Sequence, residues 1–348
     1  MVIDELVFPV VLAPLAGGPS TPALAAAVSE AGGLGFLASG YLSAMALRER
    51  LDEARQLTGA PLGVNVFCPG PGPSPPSRYA DYLARLDQWA RSAGVQLGEP
   101  RYSDDEWDGK LDLLTEAPVP VVSFTFGCPD TATAKRLQTA GSEVWVTVTS
   151  PEEAQLAQAA GADVLVVQGA EAGGHRGSFS DEGDIAVYAL LPLLAMVSAA
   201  SSLPVVASGA IATAEGVAAV LSAGAVAAQA GTAFMLSPEA GTAPAHRAAL
   251  RSPARTQLTR AFTGRLARGI QNGFIAEHET HAPAAYPELH YVTAPMRARA
   301  REQGNPDLIN LWAGQAHQLA EELPAAEIVR RLGLKAVDRN RRCSPGSR

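Results

Sequence analysis

His175 is the first residue of this chain suited to proton chemistry near neutral pH, and no other histidine precedes His246. It lies in Gln168-Gly-Ala-Glu-Ala-Gly-Gly-His-Arg-Gly177, directly after the apolar run 164–167. A short β-branched run of this kind reads as a strand buried on both faces. Gly169, Gly173, Gly174 and Gly177 allow close approaches that a Cβ would forbid. A neutral imidazole can take a proton, and a charged one can hold an anion. A solvated histidine in a tight turn would look the same in isolation. The company of this loop argues for a site: Gln168 ends the strand, and further glycine-rich loops follow other strands.

Two of those loops suit a phosphate. They are Ser208-Gly-Ala-Ile-Ala-Thr213 and Gln229-Ala-Gly-Thr232, each after an apolar run. Gly209 and Gly231 let backbone N–H groups reach phosphate oxygens, and Ser208 and Thr232 add hydroxyls. Neither loop holds a lysine or arginine, so the phosphate would rest on amides and helix dipoles. Asn65 and Gln168 are strand-end amides offering both donor and acceptor, as the edge of a flavin ring requires.

These residues need a scaffold that brings distant strand ends together. Short apolar runs alternate with amphipathic stretches from the start. Strands are expected at 10–13, 35–38, 62–66, 121–124, 143–147, 164–167, 205–208 and 227–230. Helices are expected at 21–31, 43–57, 78–92, 104–115, 130–139, 151–160, 186–197 and 213–223, with a proline-rich loop at 69–76. Alternation of this kind means a parallel sheet with helical crossovers. Eight such units suit a (β/α)8 barrel, and loops after its seventh and eighth strands commonly bind phosphate. A doubly wound open sheet is the rival, but no G-x-G-x-x-G follows the first strand.

The rhythm breaks after residue 237. The expected organisation is a barrel at 1–237, a small, mostly helical lid at 238–295, C-terminal helices at 296–338 packed on the barrel, and a disordered basic tail at 339–348. Leu308, Leu311, Trp312 and Leu319 read as one side of a helix.

Composition excludes several classes. The 348 residues carry a net charge of -8, which argues against nucleic acid as a main partner. Cys68, Cys128 and Cys343 show neither metal spacing nor a disulfide framework, so no metal is expected. No apolar stretch is long enough to span a bilayer and no signal peptide is visible, so the chain reads as cytoplasmic and without membrane contact. His246, His278, His281, His290 and His317 read as surface or structural residues.

Together these segments resemble the class I nitronate monooxygenases, formerly called 2-nitropropane dioxygenases. The likeness rests on the histidine loop and on Leu12-Ala-Pro-Leu-Ala-Gly-Gly-Pro-Ser-Thr-Pro22, Gly63-Val-Asn-Val-Phe67, Ala207-Ser-Gly-Ala-Ile211 and Gln229-Ala-Gly-Thr-Ala-Phe234. Phe262-Thr-Gly-Arg-Leu-Ala-Arg-Gly269 and Leu311-Trp-Ala-Gly-Gln315 extend it. The resemblance implies an FMN-binding TIM barrel with a lid. It implies oxidation of alkyl nitronates, such as propionate 3-nitronate, by molecular oxygen to carbonyl compounds with release of nitrite, a detoxification. By that likeness His175 is catalytic, and Asn65, Gln168, Gly173, Gly209, Gln229, Ala230, Gly231 and Thr232 bind FMN. Ala210 departs from the glycine found there in many relatives. Two alternatives stay open: an NAD(P)H-dependent enoyl-thioester or quinone reductase on the same barrel, and a non-catalytic flavin-binding barrel. Oligomeric state is not readable.

Overall fold

A computed structural model describes residues 1–183, 185 and 187–343. Its strands are β1 (Val10–Leu12), β2 (Gly35–Ala38), β3 (Leu62–Phe67), β4 (Val121–Thr125), β5 (Glu143–Val148), β6 (Val164–Gln168), β7 (Gly174–His175), β8 (Val205–Ser208), β9 (Ala227–Ala230), β10 (Thr256–Thr259) and β11 (Ala267–Ile270). Eight of them form one parallel sheet in the order β1-β9-β8-β6-β5-β4-β3-β2. A parallel bridge between Val11 and Leu34 joins its two edges and closes the barrel.

Strand periodicity places the site. Alternate residues face the helices, as Val64, Val66, Val122, Phe124, Val146, Leu165 and Val167 do. The other set faces the barrel axis. Near the strand starts it is apolar: Leu34, Phe36, Val121, Trp145, Val164, Val166 and Val206 form one buried cluster. Toward the strand ends the same inward rows turn polar, with Asn65, Ser123, Thr147, Ser208 and Gln229 all buried. Asn65 pairs in register with Ser123, and Gln168 with Ser208. The axis therefore has an oily floor and a polar mouth, the arrangement of a barrel active site.

Helices fill the crossovers: α1 (Pro22–Glu30), α2 (Ala44–Leu57), α3 (Ala80–Ala93), α4 (Trp107–Glu116), α5 (Thr131–Ala140), α6 (Pro151–Ala160), α7 (Leu190–Ala200) and α8 (Ala214–Ser222). Side chains of Thr21, Ser43, Asp130, Ser150 and Thr213 cap α1, α2, α5, α6 and α8 by accepting from backbone N–H groups. Helix α7 starts at Leu190 rather than near 186.

The chain beyond β9 departs from expectation in three ways. First, the segment over the mouth contains sheet: β10 and β11 form an antiparallel hairpin, and β7 adds to it, with His175 opposite Ala267. Second, α9 (Pro244–Leu250) and α10 (Gly273–His278) are short, while α11 (Glu288–Gln303) runs straight through the expected boundary at 295. Third, residues 306–324 form no α-helix, only two 3-10 turns. Leu311 and Trp312 instead run beside β11, where Trp312 bridges Gly269. The final helix, α12 (Ala325–Cys343), includes 339–343, which were expected to be disordered, and the rest of that tail lies outside the described residues. No helix among the described residues is long and apolar enough to cross a membrane.

Candidate active site

The strand ends and the chain above them enclose a cavity of about 370 Å³, a volume within the small-molecule range. Asn65, Gln168, Gly173 and His175 line it, as do Gly209, Gln229, Ala230, Gly231 and Thr232. The nine residues assigned to the site from sequence thus meet at one place.

Gln168 serves the histidine loop. Its Nε2 donates to the His175 carbonyl at 3.1 Å, and its Oε1 accepts from Gly177 N–H at 2.8 Å. Asn65 Nδ2 donates to Ser123 Oγ at 2.9 Å and to Thr125 Oγ1 at 3.0 Å. Its carbonyl oxygen is left as the acceptor on the cavity wall. Gln229 Nε2 reaches Ser208 Oγ at 3.5 Å.

The phosphate loops have free donors. Among the described residues, the N–H groups of Gly209, Ala210 and Gly231 donate to nothing within the chain. Ala210 holds φ +50, a left-handed conformation costing an alanine roughly 1–2 kcal/mol. This is the residue noted above as a departure from the family pattern. Thr232 Oγ1 accepts from Gly314 N–H at 3.0 Å, which brings residues 310–316 into the cavity wall. Converging unpartnered amides fit the phosphate of a flavin nucleotide.

The other side of the cavity is aromatic and cationic. His175 Nε2 lies 2.9 Å from Thr263 Oγ1, so Nδ1 is the ring nitrogen left for a ligand. Phe126 and Trp312 meet the His175 ring edge-on, at centroid distances of 5.9 and 5.4 Å. Tyr41 stacks on His290 at 4.0 Å. Arg265 lies over the Phe126 ring at 3.9 Å. Arg297 donates to the His290 carbonyl at 2.7 Å, and Arg301 to Asn310 Oδ1 at 2.7 Å. None of these three arginines pairs with a carboxylate among the described residues, and Asp181 pairs with Arg260 instead. Burial, with help from Arg265 and Arg297, lowers the His175 pKa to about 3. His175 is therefore neutral at physiological pH.

Sequence reasoning missed Tyr41, His290, Arg297, Arg301 and Trp312. His290 is buried and lines the cavity, so it is no surface residue. His246, His278 and His317 are also buried, and His281 alone of that set is exposed. A signal was present in α11. His290, Ala294, Arg297 and Arg301 follow i, i+4, i+7, i+11 spacing, one helix face, and all four line the cavity.

Fold and site together define a (β/α)8-barrel enzyme whose mouth suits a phosphate-bearing cofactor beside a neutral histidine. The nitronate monooxygenase family model matches residues 2–334. A nitronate monooxygenase of Pseudomonas aeruginosa is 43% identical over 335 residues, covering 93% of this chain and 95% of the relative. A probable nitronate monooxygenase of Bacillus subtilis is 36% identical, with 94% and 96% covered. The crystal structure of a nitroalkane oxidase from Streptomyces ansochromogenes superposes with a TM-score of 0.94 at 47% identity, covering 98% of this chain and 99% of that one. FabK from Thermotoga maritima is more distant, with a TM-score of 0.75 at 28% identity over 97% and 96%. The chain belongs to the nitronate monooxygenase family, a flavin-dependent group of oxidoreductases.

Proposed function

We propose that this protein binds FMN and oxidises alkyl nitronates with molecular oxygen, giving carbonyl compounds and nitrite. One observation carries the reading. Arg297 and Arg301 line the cavity without a carboxylate partner among the described residues, which is a standing demand for an anionic ligand. A nitronate meets that demand, and an uncharged enoyl group does not.

The free amides of Gly209, Ala210 and Gly231 would hold the FMN phosphate. Asn65, Gln168, Gly173, Gln229, Ala230 and Thr232 would border the rest of the cofactor. When bound, the flavin supplies the electron transfer between substrate and oxygen. The chain's own residues attract, orient and dry the anion. Arg297 and Arg301 attract it, while Phe126 and Trp312 exclude water from His175. Neutral His175 turns Nδ1 toward the substrate and can take the α-proton of a neutral nitroalkane.

The test is a spectrum and a titration. The flavin released on denaturation should be FMN. Anaerobic nitronate should bleach the bound flavin, and NADPH should not. Rapid bleaching by NADPH would favour the enoyl-thioester or quinone reductase reading. A flavin that neither reagent bleaches would favour a non-catalytic barrel.

A further inference from the structure

Tyr41 follows β2 and holds φ +69, a costly conformation for a bulky residue. A part-buried ion pair keeps it there. Its backbone N–H donates to Asp105 Oδ1 at 2.8 Å, and Lys110 Nζ reaches Asp105 Oδ2 at 2.6 Å. The Lys110 side chain is fully buried. Asp105 and Glu106 also hold positive φ, +59 and +53, and Glu106 Oε2 accepts from Ala44 N–H at 2.8 Å. Burial pushes the Asp105 carboxyl up and the Lys110 amine down, so the pair is a poor stability device. Two strained residues, Tyr41 and Asp105, and a part-buried ion pair therefore meet at the backbone that sets the Tyr41 side chain in the cavity wall.

That side chain is oriented at every point. The Tyr41 ring stacks on His290 and meets Phe67 edge-on at 5.5 Å. The Tyr286 hydroxyl donates to the Tyr41 oxygen at 3.2 Å. Accepting that bond leaves the Tyr41 hydroxyl proton unused among the described residues. Burial raises Tyr41 to about 12, so the proton stays on the oxygen.

We infer that Tyr41 is a substrate-binding residue, donating its hydroxyl proton to the anionic oxygens of the nitronate, and that Asp105 and Lys110 are its positioning pair. The inference rests on the nitronate reading above. It names a donor that neither the glycine loops nor His175 supplies.

The test uses the flavin-loaded enzyme. Tyr41→Phe keeps the ring, its stacking and the ion-pair grip, and removes the hydroxyl, both the donor and the acceptor of the Tyr286 bond. The KM for an alkyl nitronate should rise about 10- to 100-fold with kcat nearly unchanged, as loss of a hydrogen bond to a charged group predicts. Flavin content should match wild type. Binding of inorganic nitrite, read from the flavin spectrum, should weaken in parallel. Asp105→Asn should raise KM in the same direction, and the double variant should be no worse than Tyr41→Phe alone. Lys110→Gln is the second probe if Asp105→Asn does not fold. A flavin-replete Tyr41→Phe enzyme with wild-type KM and nitrite affinity overturns the role, and so does loss of flavin in that variant. If the wild type oxidises no nitronate yet Tyr41→Phe still weakens nitrite binding, the anion role stands and the nitronate reading falls.

Discussion

His175 and Ala267 are register partners in a small antiparallel sheet. The catalytic candidate is thus a strand residue, tied by main-chain pairing to the hairpin that covers the mouth. Gln168 anchors the same loop from below through the His175 carbonyl. A histidine held from both sides has little freedom, and preorganisation of that kind favours catalysis over flexible capture.

Neutrality of His175 sets the first prediction. A neutral imidazole can accept a proton but brings no charge to hold an anion. His175→Asn should depress turnover of neutral nitroalkanes by about 10²-fold, the low end for a positioned base, because an imidazole lowered to about 3 is a weak acceptor. Preformed nitronates should suffer far less. Any acid limb of kcat/KM between about pH 5 and 8 should keep its midpoint in the variant, because His175 does not titrate there. Equal losses on both substrates would reject the base role.

Burial of histidines also shapes acid stability. His175 and His246 are lowered from 6.5 to about 3 and about 4, chiefly by burial. Below pH 6.5 the unfolded chain takes up protons there and the folded chain does not. Stability should therefore fall as pH drops from 6.5 toward 4, by about 1.4 kcal/mol per pH unit for each such group, and these groups should add no slope above 6.5. Melting temperature measured against pH gives the check. His246→Gln should flatten the acid side, and an unchanged slope would contradict the assignment.

The barrel was legible because its strands are buried on both faces and so read as short apolar runs, 164–167 most plainly. Thr21, Ser43, Asp130, Ser150 and Thr213 cap their helices locally, and those five starts fall within a residue of the expected ones. Asn65, Gln168, Gly173, Gly209 and Gly231 stood out because glycines and amides at strand ends have local signatures, whereas Gln229 and Ala230 were assigned through the family resemblance. Tyr41 and Trp312 have none. Tyr41 looks like any residue entering a helix, and its role depends on Asp105, 64 positions away. Trp312 read as one face of a helix because its neighbours are apolar, but they are buried along β11 in extended chain. Strand β7 is two residues long in a glycine loop and takes its pairing from β11, which follows some 90 residues later.

The phosphate loops carry the third prediction. A Cβ at Gly231 would sit 3.0 Å from Leu15 Cδ2 and 3.2 Å from the Ala13 Cβ. Gly231→Val should crowd the first strand end and the cofactor together, and most of the flavin should be lost. Gly59→Val is the control, since Gly59 is exposed and a Cβ there meets nothing within 4 Å. Equal flavin content in the two purified variants would move the phosphate elsewhere.

Arg297 supplies the last. It is buried and lines the cavity, donates to Thr293 Oγ1 at 3.0 Å and lies 3.3 Å from His290 Nδ1. Thr293 Oγ1 also donates to the Phe262 carbonyl. Asn310 Oδ1 keeps Arg301 at 2.7 Å when Arg297 is gone. Removing a buried cation that lacks a carboxylate partner among the described residues relieves a desolvation cost and leaves only His290 Nδ1 without its contact. Arg297→Met should therefore melt at or above the wild-type temperature. The same change should raise the KM for nitronate by about 30-fold or more, roughly the 2 kcal/mol lost when one partner of a buried charged contact is truncated. Stability and function would then move in opposite directions, as expected of a residue kept for its ligand. A variant that melts several degrees lower with an unchanged KM would make Arg297 a structural residue and remove it from the anion site.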